Sequence, residues 1–521
     1  MHRLVIALTT LLSLTAAAVI GGYLFLFAAQ PDRAAQAVPG GTALYATVYL
    51  QPSTGQKLNL QELMSRVPGF GDRAALDQKI HEITARFLRE AGIDYEGDVR
   101  PWLGDQVAIG VRPDGVEPER ADVLVVIDVN DRAVAEEALG RLAAGMEEPA
   151  RDEAYEGVTL TVAGDTAWAL LDDILLVGSS ADAVRAGLDA DAGRAESLAD
   201  SAAFRDAMDG IAPDHLGAVF ADLEAFGASA GFADQLGGYS TAALALIVEA
   251  DGLRLEGSAP FDSGAASESA QRAFALSTEP SSLAQWMPTG TQAELVVFGL
   301  AQSLLAAETE LGGEAGGDEV ADALAQLRAI AALGLGISID DHVLPLFDRE
   351  TALAITGLEG EMPDGLLLMR PSDVDSAAEG LAEMRDSLAQ RGAAVDTEEI
   401  DGVTITSVLV PELGTVAYAV DDGVVLLGLS ADDVAGALAA HATGDSLAAT
   451  DRYRSAWELA GERGGNELWM DAAALMDAAG EDLGVTGEAR DILLQASALA
   501  MTAPARPDEA RSDFHVVLTV R

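Results

Sequence analysis

The side chains able to do chemistry are few in kind and scattered in position. Six histidines occur, His2, His81, His215, His342, His441 and His515, and no two stand at a ligand spacing such as HxH or HxxxH. A zinc site would need convergence from distant parts of the chain, and His342, beside Asp340-Asp341, reads as a surface turn histidine. Cysteine is absent, which excludes disulfides, thiolate metal sites and cysteine nucleophiles. No GxSxG elbow occurs. Ser180 and Ser430 each stand between a predicted strand and a predicted helix, where a nucleophile would sit, but a helix N-cap asks for the same side-chain oxygen. Ser430-x-x-Asp433 and Ser372-x-x-Asp375 have capping-box spacing.

The acids offer pairs rather than sites. Asp172-Asp173 and Asp421-Asp422 would suit glycosidase chemistry if held at a fixed separation; lying between adjacent strands, they read as hairpin turns. Asp189-Ala190-Asp191-Ala192-Gly193 departs from a calcium loop, with glycine at position five instead of six and Asp200 at position twelve. Gly334-Leu335-Gly336 completes neither phosphate-binding glycine pattern. Trp102 reads as a core or rim tryptophan before it reads as a sugar platform. The sequence therefore assigns no catalytic, cofactor-binding or metal-binding residue and implies no cofactor.

The elements behind these residues belong to a 521-residue chain with 49% hydrophobic and 22% charged residues, a length that suggests about three or four domains or two large ones, each half long enough to bury a core. Aromatic residues are only 5%, so aliphatic side chains carry most of the packing. Asp and Glu number 85 against 31 Lys and Arg, a net charge of −54. Such a surface repels phosphate backbones, so no nucleic-acid partner is expected. Codon bias in a GC-rich genome and adaptation to a salty medium both fit the acidity. Codon bias accounts for there being two lysines, Lys57 and Lys79, but not for the acidic excess.

One unit is written twice. Val38-Pro39-Gly40-Gly41-Thr42 opens an alternating strand at Leu44–Leu50, and Met287-Pro288-Thr289-Gly290-Thr291 opens another at Leu295–Leu300, an offset of 249 residues. Asp98 to Leu103 and then Val107 answer to His342 to Phe347 and then Thr351, an offset of 244. Tyr155-Glu156-Gly157-Val158 answers to Ile400-Asp401-Gly402-Val403, and Ser180-Ala181-Asp182 to Ser430-Ala431-Asp432. The spacing predicts strands near Gln106–Arg112, Asp122–Val129, Val158–Ala163, Ala167–Leu171, Ile174–Val177 and Ala218–Ala221, and a hairpin turning at Asp251-Gly252. Helices are predicted at Ala75–Glu90, from Asp131, and at Ala181–Leu188 and Ala202–Met208. Short turns between strands make the sheet mainly antiparallel. The expected class is α+β: two tandem duplicated units, each a mainly antiparallel sheet covered by helices on one face, after an N-terminal transmembrane helix. The expected division is an anchor or signal segment at 1–30, a linker at 31–37, the first unit at 38–261, a linker at 262–286 and the second unit at 287–521, with the two units packed on each other. A glycine-rich loop, Leu311–Asp318, has no counterpart in the first unit.

The amino terminus points to location. Leu4–Ala29 is uncharged over 26 residues, where a membrane span needs about 20 and a signal-peptide core about 7–15. Arg3 ahead of it sets the N-terminus inside. The expectation is a single-pass membrane protein with its bulk outside the cytoplasm, periplasmic or extracellular. It is secreted instead if cleavage follows Ala16-Ala17-Ala18 or Ala35-Gln36-Ala37.

VPGGTALYATVYLQPS, GIDYEGDVRPWLGDQVAIGV and YEGVTLTVAGDTAWALLDDILLVGSSADAV with its second copy resemble the bacterial domain-of-unknown-function 3352 family. The resemblance implies an anchored or secreted envelope protein without an assigned activity, and no functional residues carry over. From the residues alone the preferred reading is a non-enzymatic extracytoplasmic protein that binds a partner protein, an envelope polymer or a small ligand. The alternatives are a carboxylate-dependent hydrolase of the envelope, which needs two acids converging in one cleft with one pKa raised, and a carrier of lipids or other hydrophobic ligands, which needs an apolar cavity.

Overall fold

The structure is a computed structural model that describes residues 32–66, 94–113, 121–146, 148–225, 238–262, 271, 275–276, 278–310, 325–357, 364–410, 414–479, 490, 494–506 and 509–521. The hydrophobic N-terminal segment, the predicted helix Ala75–Glu90 and the loop Leu311–Asp318 lie outside the described residues. Among the described residues no helix is long and apolar enough to cross a membrane. The chain divides into two compact units at Ala265/Ala266.

The first unit holds β1 (Leu44–Tyr49), β2 (Leu103–Arg112), β3 (Asp122–Val129), β4 (Arg151–Tyr155), β5 (Val158–Ala163), β6 (Thr166–Leu170), β7 (Ile174–Gly178), β8 (Gly217–Asp222), β9 (Thr241–Glu249) and β10 (Gly252–Pro260). They pair in the order β10-β9-β8-β1-β2-β3-β7-β6-β5-β4, antiparallel at every step. The helices are α1 (Arg33–Ala37), α2 (Thr54–Arg66), α3 (Arg132–Ala144), α4 (Ala181–Asp191) and α5 (Ala202–Met208). One core packs Tyr45, Val126, Leu160 and Leu176 of the sheet against Ala35, Val184 and Phe204 of α1, α4 and α5. A second core packs Val125, Ile127, Trp168 and Val177 against Ala135 and Ala138 of α3. Helices thus cover both faces, where the sequence reading expected one. The reason is visible in β3 and β7, whose residues are apolar in both parities, the mark of a strand buried on both sides.

Within the expected linker 31–37, the described residues 32–37 are part of the fold. Asp32 caps α1, and Ala34, Ala35 and Ala37 are buried in the core, small enough to let the helix lie close on the sheet. Cleavage after Ala37 would remove that helix from the fold. The hairpin between β9 and β10 turns at Ala250-Asp251, one residue earlier than expected.

The second unit holds β11 (Ala293–Phe298), β12 (Glu350–Gly357), β13 (Asp364–Arg370), β14 (Val395–Ile400), β15 (Val403–Val410), β16 (Gly414–Asp421), β17 (Val424–Gly428), β18 (Glu467–Asp471), β19 (Ala496–Thr502), β20 (Ala505–Arg506) and β21 (Arg511–Val520). Leaving aside the two-residue β20, the order is β21-β19-β18-β11-β12-β13-β17-β16-β15-β14, again antiparallel. This is the first unit's order, position for position. Its helices are α6 (Leu300–Glu310), α7 (Val374–Gln390), α8 (Ala431–Thr443), α9 (Asp451–Ala460) and α10 (Ala472–Ala479). One core gathers Trp286, Val296, Leu368, Leu426, Val434, Trp457 and Trp469. The opposite core sets Met369 and Val425 under Ala377 and Leu381 of α7. The segment 262–286, read as a linker, ends in a short 3₁₀ turn, Leu283–Trp286, that is buried in the larger core.

The equivalences reach the turns. Glu156-Gly157 has φ of 49° and 87°, and Asp401-Gly402 has 52° and 87°, so the same left-handed two-residue turn closes β4–β5 and β14–β15. Ser180 accepts from the Ala183 amide and Ser430 from the Asp433 amide, capping α4 and α8 as expected. Ser372 does not cap. Asp373 caps α7 by accepting from the Ser376 amide, and the Ser372 hydroxyl donates to Asp348 instead. The next residue wins because its longer-reaching carboxylate also takes the Ser376 hydroxyl.

Candidate functional site

Two features concentrate polar chemistry: a buried cluster under each central strand, and an open groove in the first unit. The expected residues are mostly elsewhere. Asp172 and Asp173 sit in the β6–β7 turn, paired with Arg132 at 2.8 Å and Arg33 at 3.2 Å. Asp422 and Gly423, both at positive φ, turn β16 into β17. In the calcium-like segment, Asp189 is held by Arg194 at 2.7 Å and by the Tyr155 hydroxyl at 2.8 Å, and Asp200 by the Ser197 hydroxyl. The described histidines lie apart: His342 meets Glu383 at 3.0 Å, His441 stacks on Trp286 at 3.6 Å, and the His215 ring reaches the Ala212 carbonyl. No group of three potential metal ligands occurs among the described residues. Trp102 is a core tryptophan, 3% exposed, donating to the Asp98 carbonyl. Gly336 ends a short helical turn in the left-handed conformation and opens no phosphate loop.

In the first unit the buried cluster centres on Asp32. Its carboxylate accepts from the Tyr45 hydroxyl at 2.7 and 2.8 Å, from the Gln106 amide at 2.6 Å and from the Ala35 backbone at 3.0 Å. Gln106 also donates to Thr47 at 2.8 Å, and its oxygen accepts from the Ala34 amide. The effect is to tie α1 to β1 and β2. Burial pushes the Asp32 carboxyl up, and three donors oppose that rise.

In the second unit three carboxylates share the covered face. Glu294 stands on β11 opposite Trp469, Glu350 on β12 opposite Phe298, and Glu467 on β18 opposite Val296. Glu294 and Glu467 have no exposed surface, and Glu350 has 4%. Arg463 donates to Glu467 at 2.5 Å, with its guanidinium 4.3 Å from the centre of the Trp457 ring. Ser281 donates to Glu350 at 2.5 Å, its amide points to Glu467 at 3.4 Å, and Arg370 approaches Glu350 at 3.4 Å. Three acids therefore face two arginines. Glu294 is the acid left over: no arginine forms a salt bridge with it and neither oxygen meets a donor in good hydrogen-bond geometry, although the nearby Tyr453 hydroxyl favours its charged form. Burial raises its pKa to about 8, Tyr453 and Arg463 counter this, and Glu467 and Glu350 add to it. Burial raises Glu467 as well. This is the raised-pKa acid that a hydrolase needs, but it is enclosed under Trp469 and Tyr453 rather than set in a cleft. Its chemistry is that of a neutral buried acid held inside the fold.

The groove is accessible from the surface. It encloses about 910 Å³ between α3 and the strands β5 and β6. Its helical wall is Arg132, Glu136, Leu139, Gly140 and Ala143, a single helix face by spacing. Its floor is Thr159, Thr161, Trp168 and Leu170, which share one side of the sheet. Asp152 stands on the strand side, accepting from the Thr161 hydroxyl at 2.8 Å. The groove has no signature in the sequence, because it depends on how far α3 stands off the sheet. Glu294 did leave a signal: it is a charged residue in the same parity as Val296 and Phe298.

The curated proteins give no match to this chain. Among solved structures, crystal form III of TP0453 aligns at 11% identity over 45% of this chain and 82% of that one, with a TM-score of 0.25. Crystal form IV of TP0453 aligns at 10% identity over 43% and 79%, also at 0.25. Likenesses at that level carry no argument about fold or function. The family described as "Protein of unknown function (DUF3352)" matches residues 4–520, nearly the whole length, so the chain belongs to that family.

Proposed function

We propose that the chain is a non-enzymatic binding protein of the cell envelope, held to the membrane by residues 1–30, with two units outside the cytoplasm that descend from one duplicated unit. The hydrophobic, uncharged run Leu4–Ala29 behind Arg3 supports the location. The shared strand order, turns and caps support the duplication.

The observation that carries the binding reading is the groove beside α3. Its volume of about 910 Å³ lies within the range of small-ligand sites, and its lining sets Leu139, Trp168 and Leu170 among threonines and charged side chains. Four of its five acids are tied to an arginine or a hydroxyl: Asp172 to Arg132, Asp173 and Asp191 to Arg33, Asp152 to Thr161. That bonding suits a rigid rim for holding a ligand.

A thermal-shift screen of small ligands against the full chain and its Gly140→Leu variant tests this. Apart from its own helix, no atom lies within 4 Å of a Cβ placed at Gly140, so a side chain can be introduced on this wall of the groove. Ligands that stabilise the parent are expected to lose their effect on the variant. A hydrolytic turnover abolished by Glu136→Gln or Asp152→Asn would replace the binding reading with the hydrolase one.

A further inference from the structure

We infer that the groove of the first unit takes an aliphatic amine, a ligand with ammonium groups on an apolar chain; this rests on the binding reading above. Two carboxylates face the groove from opposite walls, Glu136 on α3 and Asp152 on β4. Among the described residues neither is paired with an arginine or lysine, whereas Asp172, Asp173 and Asp191 at the same rim are. Leu139, Leu170 and Trp168 provide an apolar surface in the same groove. An ammonium group gains charge-assisted hydrogen bonds at either acid while its methylene chain covers the apolar side chains. A carboxylate or phosphate ligand would meet five lining acids against one arginine, Arg132, which already serves Asp172.

The second unit shows what an occupied version looks like. Counted from the caps Asp131 and Asp373, the place of Ala143 on α3 is taken on α7 by Arg385. Tyr418 stands opposite Thr406 as Trp168 stands opposite Thr161. Arg385 pairs with the adjacent Asp386 at 2.7 Å and is close enough to Tyr418 to feel it electrostatically, so a cation on an aliphatic stem stands near the aromatic residue there. In the first unit Ala143 leaves that space to a ligand.

The test is calorimetric titration of the full chain with hexamethylenediamine, hexanediol and adipate at roughly 0.15 M salt, where exposed charges beyond about 8 Å are screened. The diamine is expected to bind, and the diol and adipate to bind at least about tenfold more weakly. The double substitution Glu136→Gln and Asp152→Asn should weaken the diamine by about tenfold or more. Gly140→Leu should remove it while leaving the melting temperature intact, since leucine is the better helix former. Equal binding of diol and diamine, both lost in Gly140→Leu, would overturn the amine while keeping the groove as a binding site. Diamine binding that Gly140→Leu leaves untouched would place it elsewhere on the acidic surface and overturn both.

Discussion

Where β1 carries Tyr45, β11 carries Glu294; where β2 carries Gln106, β12 carries Glu350; where β8 carries Ala218, β18 carries Glu467. The lead-in segment reverses the exchange, with Asp32 in the first unit and Ser281 in the second. In one unit a single acid comes from the lead-in and the strands supply neutral donors. In the other the acids sit on the strands and the lead-in supplies the hydroxyl. Both arrangements fasten the lead-in segment to the central strands, so the fold requires the fastening and leaves open which side bears the charge. The balance differs in consequence. Asp32 has several donors, whereas the three glutamates have two arginines and leave Glu294 without a salt bridge of its own.

The strongest way to break this comparison is Arg463→Ala. It strands Glu467 without its cation and should cost the second unit about 3–5 kcal/mol, read from urea unfolding by tryptophan fluorescence. Adding Glu467→Ala, the residue type found at Ala218, with methionine at position 463 should restore most of the loss. A double variant no more stable than Arg463→Ala would show that the acid is not what the arginine serves.

Glu294→Gln comes next. Because the folded state holds the Glu294 proton up to about pH 8 and the unfolded chain releases it at the usual carboxylate value, the folded state binds more protons in between. Stability should therefore fall as pH rises from the usual carboxylate range to about 8 and level off above it. The glutamine variant, which mimics the protonated acid, should reduce that slope, by up to about 1.4 kcal/mol per pH unit. An unchanged slope would mean that Glu294 does not titrate within this window.

Tyr45→Phe probes the first unit. It removes the hydroxyl from Asp32 and should cost about 1–3 kcal/mol, with far less pH dependence than the glutamate cluster produces. The smallest effects sharpen the likeness: Ser180→Ala and Ser430→Ala should each cost about 1 kcal/mol, equally in the two units, in the same unfolding experiment.

Local features were legible in the sequence. The strand Asp122–Val129, the helix Ala202–Met208 and the caps Ser180 and Ser430 are set by neighbouring residues. What failed depended on distant partners. The edge strands Arg151–Tyr155 and Val395–Ile400 are charged and exposed, so they carry no apolar alternation to read. Residues 33–37 passed for linker because alanine reads as neutral until a sheet lies beneath it. Glu294 was hidden among 85 acids, and only its parity on β11 sets it apart. The groove follows from the stand-off of a helix and has no one-dimensional trace.

The docking of α1 bears on mechanics. Because Asp32 is fastened by its own side chain, there is no slack between residue 32 and the folded unit. A pull on the chain from its amino-terminal side is borne first by the Tyr45 and Gln106 side-chain bonds. Behind them stand the backbone bonds of Val38 and Gly40 to the 196–198 segment, and only then the β1–β2 and β1–β8 ladders. Tyr45 and Gln106 thus act as a fuse, and tension would unseat a five-residue helix before it reached the strands.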